Sequence, residues 1–394
     1  MSDFAASTDF STADFAFMAD ALRLAAQGQY SVHPNPQVGC VIVRDGVVAG
    51  RGAHLRAGEP HAEVYALREA GESARGATAY VTLEPCAHHG RTPPCAEALI
   101  AAGIAEVVVA MPDANPQVAG RGFALLRAAG IRVRHGLLSA QAQAQNPGFH
   151  RVMAGGRPWL RAKIALSADG RSAMTSGESQ WITAAPARAD VQRWRARSSA
   201  IITGSGTVLA DDSSLNIRPE LWPDASVLMP HPERGVRQPE RVLLDSRARL
   251  PLTAKLIAAN GSVRLLHTAQ APAERVQALA QAGVMMHCVA EAASDRSASS
   301  GVAIQAALAA LTEAGHHTLM LEAGATLTGA FLRAGVVDEL IVYQAPTLLG
   351  SSARAAVTWP MQRMIEQCRL IVKDRRQLGD DTRTMYQCVL SSEE

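Results

Sequence analysis

Aromatic residues are scarce in this chain: seven Phe, five Tyr and five Trp, 4% of 394 positions. Basic charge is not concentrated either. The 38 Lys and Arg face 36 Asp and Glu, leaving a net charge of +2 and no basic run. A nucleic-acid groove needs clustered positive potential, and a single-strand binder needs stacking aromatics as well, so no nucleic-acid partner is expected. No apolar run approaches the roughly 20 residues that span a bilayer, so no membrane partner is expected. The opening "MSDFAASTDFSTADFAFMAD" carries acids where a secretion signal carries bases. The expected location is cytoplasmic. The six cysteines are then reduced thiols available for metal rather than a disulfide framework.

What is present is ordinary for a globular protein, with 48% hydrophobic and 19% charged residues. The length favours two domains. In the first, "DFAFMADALRLAAQG" has apolar residues at helical spacing, and "QVGCVIVRDGVVAGRG" reads as a hairpin turning at Asp45-Gly46. A helix from about His61 follows, then a strand "ATAYVTL", a helix "PCAEALIAAG", a strand "EVVVAM", a helix after Gly120 and "IRVRHG". Alternating strands and helices imply a partly parallel sheet with helices on its faces. The stretch "NPGFHRVMAGGRP" breaks the pattern and places a boundary near Arg151, giving domains 1–150 and 151–394. Beyond it "WLRAKIAL", "SSAIITG", "RVLLDS", "SVRLLHT", "HTLMLEAG" and "ELIVYQAP" read as strands, with alanine-rich helices such as "GVAIQAALAALTEAG" between some of them. "DASVLMPHPERGVRQP" reads as a loop, and the halves share no internal repeat.

His61, Cys86 and Cys95 offer one nitrogen and two sulfurs, a zinc-type donor set, each at or near a predicted helix start. A structural zinc site closes four positions, whereas a catalytic one keeps a position for water. Glu63 separates the two. In a structural site it is only a solvated first-turn acid; in a hydrolytic site it carries protons between water and the leaving group. His-x-Glu followed by Pro-Cys and a second Cys is the pattern of zinc nucleobase deaminases. Eight residues, "AHHGRTPP", separate the cysteines instead of two, and they bring His88 and His89 as alternative ligands. Within a helix, His61 and Glu63 would point about 200° apart. They share a site only if the helix begins near His61.

The segments "SVHPNPQVGCVIV", "RAGEPHAEVYALREAG" and "VTLEPCAHHGRTPPC" resemble the bifunctional deaminase–reductase family of riboflavin biosynthesis, in which the long Cys–Cys insert is normal. The likeness continues through "PDANPQVAGRG" and into the second half, where "KIALSADGR", "SGESQWIT", "TGSGTVLADDSSLNIR" and "LEAGATLTGAFLRAGVVDELIVYQAP" look like the reductase. Only the first dozen residues and the loop around 221–240 look individual.

The resemblance implies an α/β protein with a cytidine-deaminase-like three-layer domain and a dihydrofolate-reductase-like domain. It implies one zinc per chain on His61, Cys86 and Cys95, Glu63 as the catalytic proton shuttle, and a pyrimidine pocket lined by Asn35, His54 and Arg91. His88 and His89 become loop residues. It assigns NADPH to Ala165, Trp181, Thr207, Asp211 and the run Gly324, Ala325, Thr326, Leu327, Thr328, Gly329 and Ala330. It assigns the substrate to Ser179, Arg195, Leu215, Arg218 and Glu322.

Read on its own, "EAGATLTGAFL" turns from a strand into a helix whose N–H groups can cradle a phosphate, as any helix start can; it is not G-x-G-x-x-G. The planar guanidinium forks of Arg195 and Arg218 suit a sugar phosphate. In "LLDSRAR", Ser246 with Arg247 or Arg249 is a candidate for the 2′-phosphate. The expected reactions are hydrolytic removal of the 2-amino group of 2,5-diamino-6-ribosylamino-4(3H)-pyrimidinone 5′-phosphate, then NADPH-dependent reduction of its ribosyl unit to ribityl. The expected partners are this small molecule and further copies of the chain in a homo-oligomer.

Overall fold

The computed structural model describes residues 7, 9–87, 94–116, 118–222, 235–292 and 301–389. One compact unit gives way to a second between Gly156 and Arg157.

The first unit runs α1 (Thr12–Ala25), β1 (Gly39–Arg44), β2 (Val47–Ala53), α2 (Ala62–Ala70), β3 (Thr78–Val81), α3 (Cys95–Ala101), β4 (Glu106–Val109), α4 (Arg121–Ala128), β5 (Arg132–His135), α5 (Ser139–Gln145) and α6 (Pro147–Met153). Its sheet has the order β2-β1-β3-β4-β5. β1 is antiparallel to both neighbours, and β3, β4 and β5 are parallel. Asp45 and Gly46 both take positive φ, 51° and 78°, the twist that a two-residue hairpin turn requires.

Two glycines show how the layers close. A Cβ on Gly39 would lie 2.0 Å from the Ala21 carbonyl oxygen of α1, and one on Gly52 would lie 2.0 Å from that of Ala62 in α2. Gly39 pairs with Ala53 and Cys40 with Gly52, so the two glycines point to opposite faces. α1 therefore covers one face and α2 the other. Both approach closely because their contact residues are alanines, Ala21 and Ala25 in α1, Ala62 and Ala66 in α2, all fully buried. This is a three-layer α/β/α unit, and the packing at Gly52 brings the start of α2 against the end of β2.

The second unit runs β6 (Trp159–Ser167), β7 (Arg171–Ala173), α7 (Ala185–Ala196), β8 (Ala200–Gly204), α8 (Ser205–Asp211), β9 (Glu240–Leu244), α9 (Lys255–Ala258), β10 (Val263–His267), α10 (Ala273–Gln281), β11 (Met285–Cys288), α11 (Ile304–Glu313), β12 (Thr318–Leu321), α12 (Ala325–Arg333), β13 (Glu339–Ala345), β14 (Arg354–Ala355), β15 (Leu370–Leu378) and β16 (Asp381–Cys388). Nine of these strands form one sheet, β11-β10-β9-β8-β12-β6-β13-β16-β15. It is parallel from β11 to β13 and antiparallel at β16 and β15.

Alternate residues of the central strands feed separate cores. Ile202, Val242, Leu244, Leu319 and Leu321 pack with Leu308 and Leu311 of α11 and Phe331 of α12. Ile201, Leu243 and Met320 pack with Val191 and Trp194 of α7 and Leu279 of α10. Burial on both faces explains why these strands read as continuous apolar runs. The β15–β16 hairpin was not anticipated. β15 is exposed at almost every position, so it carries no inside–outside alternation. Most of the "DASVLMPHPERGVRQP" stretch lies outside the described residues.

Candidate active sites

In the first unit, α2 begins at Ala62 and His61 is its N-cap, extended at φ −73° and ψ 167°. His61 thus precedes the helical turn, and the angular conflict with Glu63 does not arise. Cys95 opens α3, but Cys86 lies in the loop after β3, not at a helix start as expected. The loop is clasped to α3: the Cys95 amide donates to Cys86 Sγ at 3.3 Å and the Ala96 amide to the Cys86 carbonyl at 3.2 Å. The start of α3 favours a thiolate at Cys86 after all, reached through space rather than along the chain.

His61 Nδ1 lies 3.2 Å from Cys95 Sγ and 3.7 Å from Cys86 Sγ. The three donor atoms fall within 4.8 Å of one another, and no other such group stands among the described residues. One nitrogen and two sulfurs at this spacing fit a zinc ion with a fourth position left open. The hydrogen bond from Cys95, assisted by His61, lowers the Cys86 pKa, while the same bond and burial raise that of Cys95. Glu63 is 3% exposed and its Oε2 has no hydrogen-bond partner. Burial pushes its carboxyl up to about 7. A buried acid with a vacant oxygen beside a metal-type triad is what proton transfer needs and what a structural zinc site does not.

Asn35 and His54 also converge here. Asn35 Nδ2 lies 3.0 Å from His54 Nε2, and the His54 ring meets that of His61 edge-on at 5.2 Å. Burial lowers the His54 pKa, favouring the neutral ring. His88, His89 and Arg91 lie outside the described residues. Glu84 was missed by the sequence reading. It is buried, and its carboxylate accepts the amides of Asp113, Gly120 and Gly122 at 3.1, 3.0 and 2.9 Å. It ties "PDANPQVAGRG" to the loop that carries Cys86. The signal was an acid directly after an apolar strand.

In the second unit, a cavity of about 1590 Å³ lies at the carboxyl ends of the parallel strands, where open α/β sheets bind ligands. Ala165, Ser179, Trp181, Arg195, Thr207, Asp211, Leu215, Arg218, Ser246 and Glu322 all line it, as do Gly324 to Leu327 and Ala330. Thr328 and Gly329 do not, which narrows the expected cofactor run. Thr328 is buried and bonds the Ala323 carbonyl, and a Cβ on Gly329 would lie 2.0 Å from the Thr358 carbonyl, so this face of α12 meets protein. Gly324 is the extended N-cap of α12, its amide donating to Thr207 Oγ1 at 3.2 Å. A helix start, two hydroxyls and Arg249 facing a cavity of this size suit a phosphate-bearing dinucleotide. Of the two arginines weighed beside Ser246, Arg249 reaches the cavity and Arg247 does not.

Arg195 and Glu322 form a buried pair, and Arg195 Nη1 also donates to the Asn216 carbonyl at 2.8 Å. Lys163 and Arg188 line the cavity as well and were missed. Lys163 is one of three lysines in the chain and stands inside the apolar strand "KIAL". Burial lowers its pKa, against the raising effect of nearby Glu322. Arg188 precedes Gln192 and Arg195 by four and seven positions, a helical-face spacing visible in the sequence.

These two sites define a class: a two-domain enzyme pairing a zinc-type hydrolytic centre with a nucleotide-dependent oxidoreductase cavity. Residues 11–111 match the family model of the cytidine and deoxycytidylate deaminase zinc-binding region, and residues 158–383 match that of the RibD C-terminal domain. The riboflavin biosynthesis protein RibD of Escherichia coli K12 is 47% identical over 367 residues, 93% of this chain and 96% of that one. RibD of Haemophilus influenzae is 44% identical over 379 residues, 96% and 98% of the two chains. The solved structure of Acinetobacter baumannii RibD (form 1) superposes with a TM-score of 0.86 at 47% identity, covering 96% of this chain and 99% of that one. That of a Thermotoga maritima deaminase/reductase gives 0.78 at 29% identity, with the same coverage. The chain belongs to the RibD family of bifunctional riboflavin biosynthesis proteins. It is a zinc-dependent deaminase joined to an NADPH-dependent reductase, acting on a small molecule. Among the described residues no helix is long and apolar enough to cross a membrane.

Proposed function

We propose that the first unit, taken as the deaminase domain, removes the exocyclic 2-amino group of 2,5-diamino-6-ribosylamino-4(3H)-pyrimidinone 5′-phosphate. The second unit, the reductase domain, then reduces the ribosyl group of 5-amino-6-(5-phosphoribosylamino)uracil. The observation that carries the first step is the buried, vacant Glu63 Oε2 beside the His61, Cys86 and Cys95 triad. Zinc on these three residues supplies Lewis acidity toward the attacking water. Glu63 takes a proton from that water and returns it to the departing amine. The His54 tautomer follows from its neighbours. Nδ1 lies 3.1 Å from the Pro60 carbonyl, which only accepts, so Nδ1 carries the proton and Nε2 accepts from Asn35 Nδ2. Asn35 Oδ1 and its second N–H stay available for a base edge, with Arg91 assigned to the same pocket by the family pattern.

In the reductase cavity NADPH supplies the hydride. The start of α12, with Thr207, Trp181, Ala165 and Asp211, orients the cofactor, while Ser246 with Arg249 meets its 2′-phosphate. Ser179, Arg195, Leu215, Arg218 and Glu322 are read as substrate contacts, and their work is to set the reacting carbon against the nicotinamide.

Two further parts of the reading rest on surface and thiol chemistry. Homo-oligomerisation is supported by Met364 and Ile365, 79% and 83% exposed, leading into exposed Ile371 and Val372 on edge strand β15. A cytoplasmic location is supported by six unpaired cysteines. The reading is tested by incubating the protein with the diaminopyrimidinone phosphate, with and without NADPH. Ammonia should appear in both mixtures and cofactor oxidation only in the first. Ammonia release from protein stripped of zinc would overturn the metal's role.

A further inference from the structure

Two of the three metal donors are fixed by helices. His61 is the N-cap of α2, and Cys95 is the first residue of α3. Cys86 stands on neither a helix nor a strand, and a loop side chain keeps a freedom that a metal ligand has to lose. The backbone that leads to it is nevertheless held at every second residue. The Thr82 amide donates to the Gly39 carbonyl and Thr82 Oγ1 accepts the Gly39 amide, both at 3.1 Å. The Glu84 amide donates to the Met111 carbonyl at 3.0 Å. Cys86 itself is clasped by the Cys95 and Ala96 amides.

The Glu84 side chain adds a hold of another kind. It is 5% exposed, and four backbone amides converge on its carboxylate. Oε2 accepts Asp113 and Gly120, at 3.1 and 3.0 Å, and so closes the segment between them. Oε1 accepts Gly122 and Phe123, at 2.9 and 3.4 Å. These two residues belong to the first turn of α4, whose N-cap, Gly120, has no side chain to accept them. Glu84 is thus the cap of α4, supplied from another part of the chain. Gly122 lets the helix come in close. A Cβ there would lie 2.1 Å from the carbonyl oxygen of Pro85, the residue before Cys86.

We propose that Glu84 is a positioning residue of the deamination centre: by capping α4 it fixes the backbone at Glu84 and Pro85, and through it holds Cys86 Sγ in ligand position. This rests on the reading of His61, Cys86 and Cys95 as the zinc ligands. Coupling between two binding events is reciprocal. A cap that favours zinc binding must itself be favoured by bound zinc, by the same factor.

The wild-type full chain gives the first test. Hydrogen exchange at the Gly120, Gly122 and Phe123 amides is followed with zinc bound and after its removal by a chelator. Those amides should exchange about 10-fold or more faster without zinc, while Met18, buried in α1, should not change. Equal rates at the cap amides in the two states would overturn the proposal.

Glu84→Gln gives the second. It keeps the side chain's size but turns one acceptor into a donor that faces amides which also donate. Zinc should pass from this variant to a chelator about 10- to 100-fold more readily than from wild type. With cobalt in place of zinc, the thiolate-to-metal absorption should weaken and shift, which loss of stability alone does not produce. Gly122→Ala leaves the carboxylate intact and pushes α4 off the Pro85 carbonyl, so it should move both readouts in the same direction. NADPH oxidation with the deaminated intermediate should stay near wild type in both variants. A lower melting temperature with wild-type zinc retention and an unchanged cobalt spectrum would make Glu84 structural only and overturn the proposal. If neither variant folds, the exchange rates of the wild-type protein decide it. A Cys86→Ser variant that holds zinc as tightly as wild type would refute the ligand reading itself, and the proposal with it.

Discussion

Arg195 and Glu322 face each other as a bidentate pair, 2.6 and 2.9 Å apart, both buried at the edge of the reductase cavity. Burial pushes the Glu322 carboxyl up. Arg195 acts against this, with Lys163 and Arg218 beside it, and together they hold its pKa below the ordinary value. Arg195→Ala should leave a buried carboxylate unpaired and cost about 3–5 kcal/mol of stability in the second unit. Reduction should fail while ammonia release persists. A thermal melt read beside both assays decides it. An unchanged melting temperature would show that the pair is not structural.

The ion pair on α1 has a pH signature. Asp14 accepts from Tyr80 Oη at 2.6 Å and from both Nη atoms of Arg134 at 3.2 Å. Burial raises the Asp14 pKa, but Arg134, Tyr80 and Ser11 outweigh it and hold the group well below the ordinary carboxylate range. A depressed folded-state pKa gives stability that is complete above the unfolded value of about 3.9 and lost as pH falls below it. Asp14→Asn should therefore destabilise the first unit at neutral pH and flatten its loss of melting temperature as pH falls below about 4. Parallel curves for variant and wild type would remove Asp14 from the acid response.

The deaminase site was largely legible in the sequence because its chemistry is local. His61 and Glu63 lie two positions apart, and Cys86 and Cys95 stand in one loop-to-helix segment. The N-cap geometry was not legible, since periodicity does not say at which residue a helix begins. The reductase cavity draws on β6, α7, β8, β9 and β12, and the sheet order β9-β8-β12-β6 is not the chain order. Most of the residues that motif likeness assigned do line it, but pairing did not follow from that likeness. Arg195 and Arg218 look interchangeable in sequence, and only Glu322, 127 positions from Arg195, distinguishes them. Lys163 stands on the half-buried face of β6, alternating with buried Leu160, Ala162 and Ile164, a period-two pattern that reading the strand as an apolar run passed over.

Cofactor preference should favour NADPH over NADH. Ser246 and Arg249 line the cavity, and Arg249 Nε is steadied by Asp245 Oδ1 at 3.1 Å. Arg249→Ala should lower kcat/KM for NADPH about 10-fold or more and leave that for NADH nearly unchanged. Equal losses with both cofactors would assign Arg249 to the architecture of the strand end, through Asp245 and Ser205.

Glu63→Gln separates a working metal from one that only holds the fold. The substitution keeps the side chain's size and removes its proton-carrying carboxylate, at a position 3% exposed where a larger change would disturb packing. His61, Cys86 and Cys95 are untouched, so zinc content and melting temperature should stay near wild type. Loss of general acid–base catalysis should slow deamination by at least ~10²–10⁴-fold. The reductase has its own site and should still oxidise NADPH when the deaminated intermediate is supplied. The expected phenotype is split: no ammonia from the diamino compound, normal reduction of its deaminated product. Near-normal ammonia release would remove Glu63 as the shuttle and revive the structural-zinc alternative. Loss of zinc together with ammonia release would mean that the buried Glu63 carboxylate supports the architecture of the triad, and zinc analysis distinguishes that outcome from a defect in proton transfer.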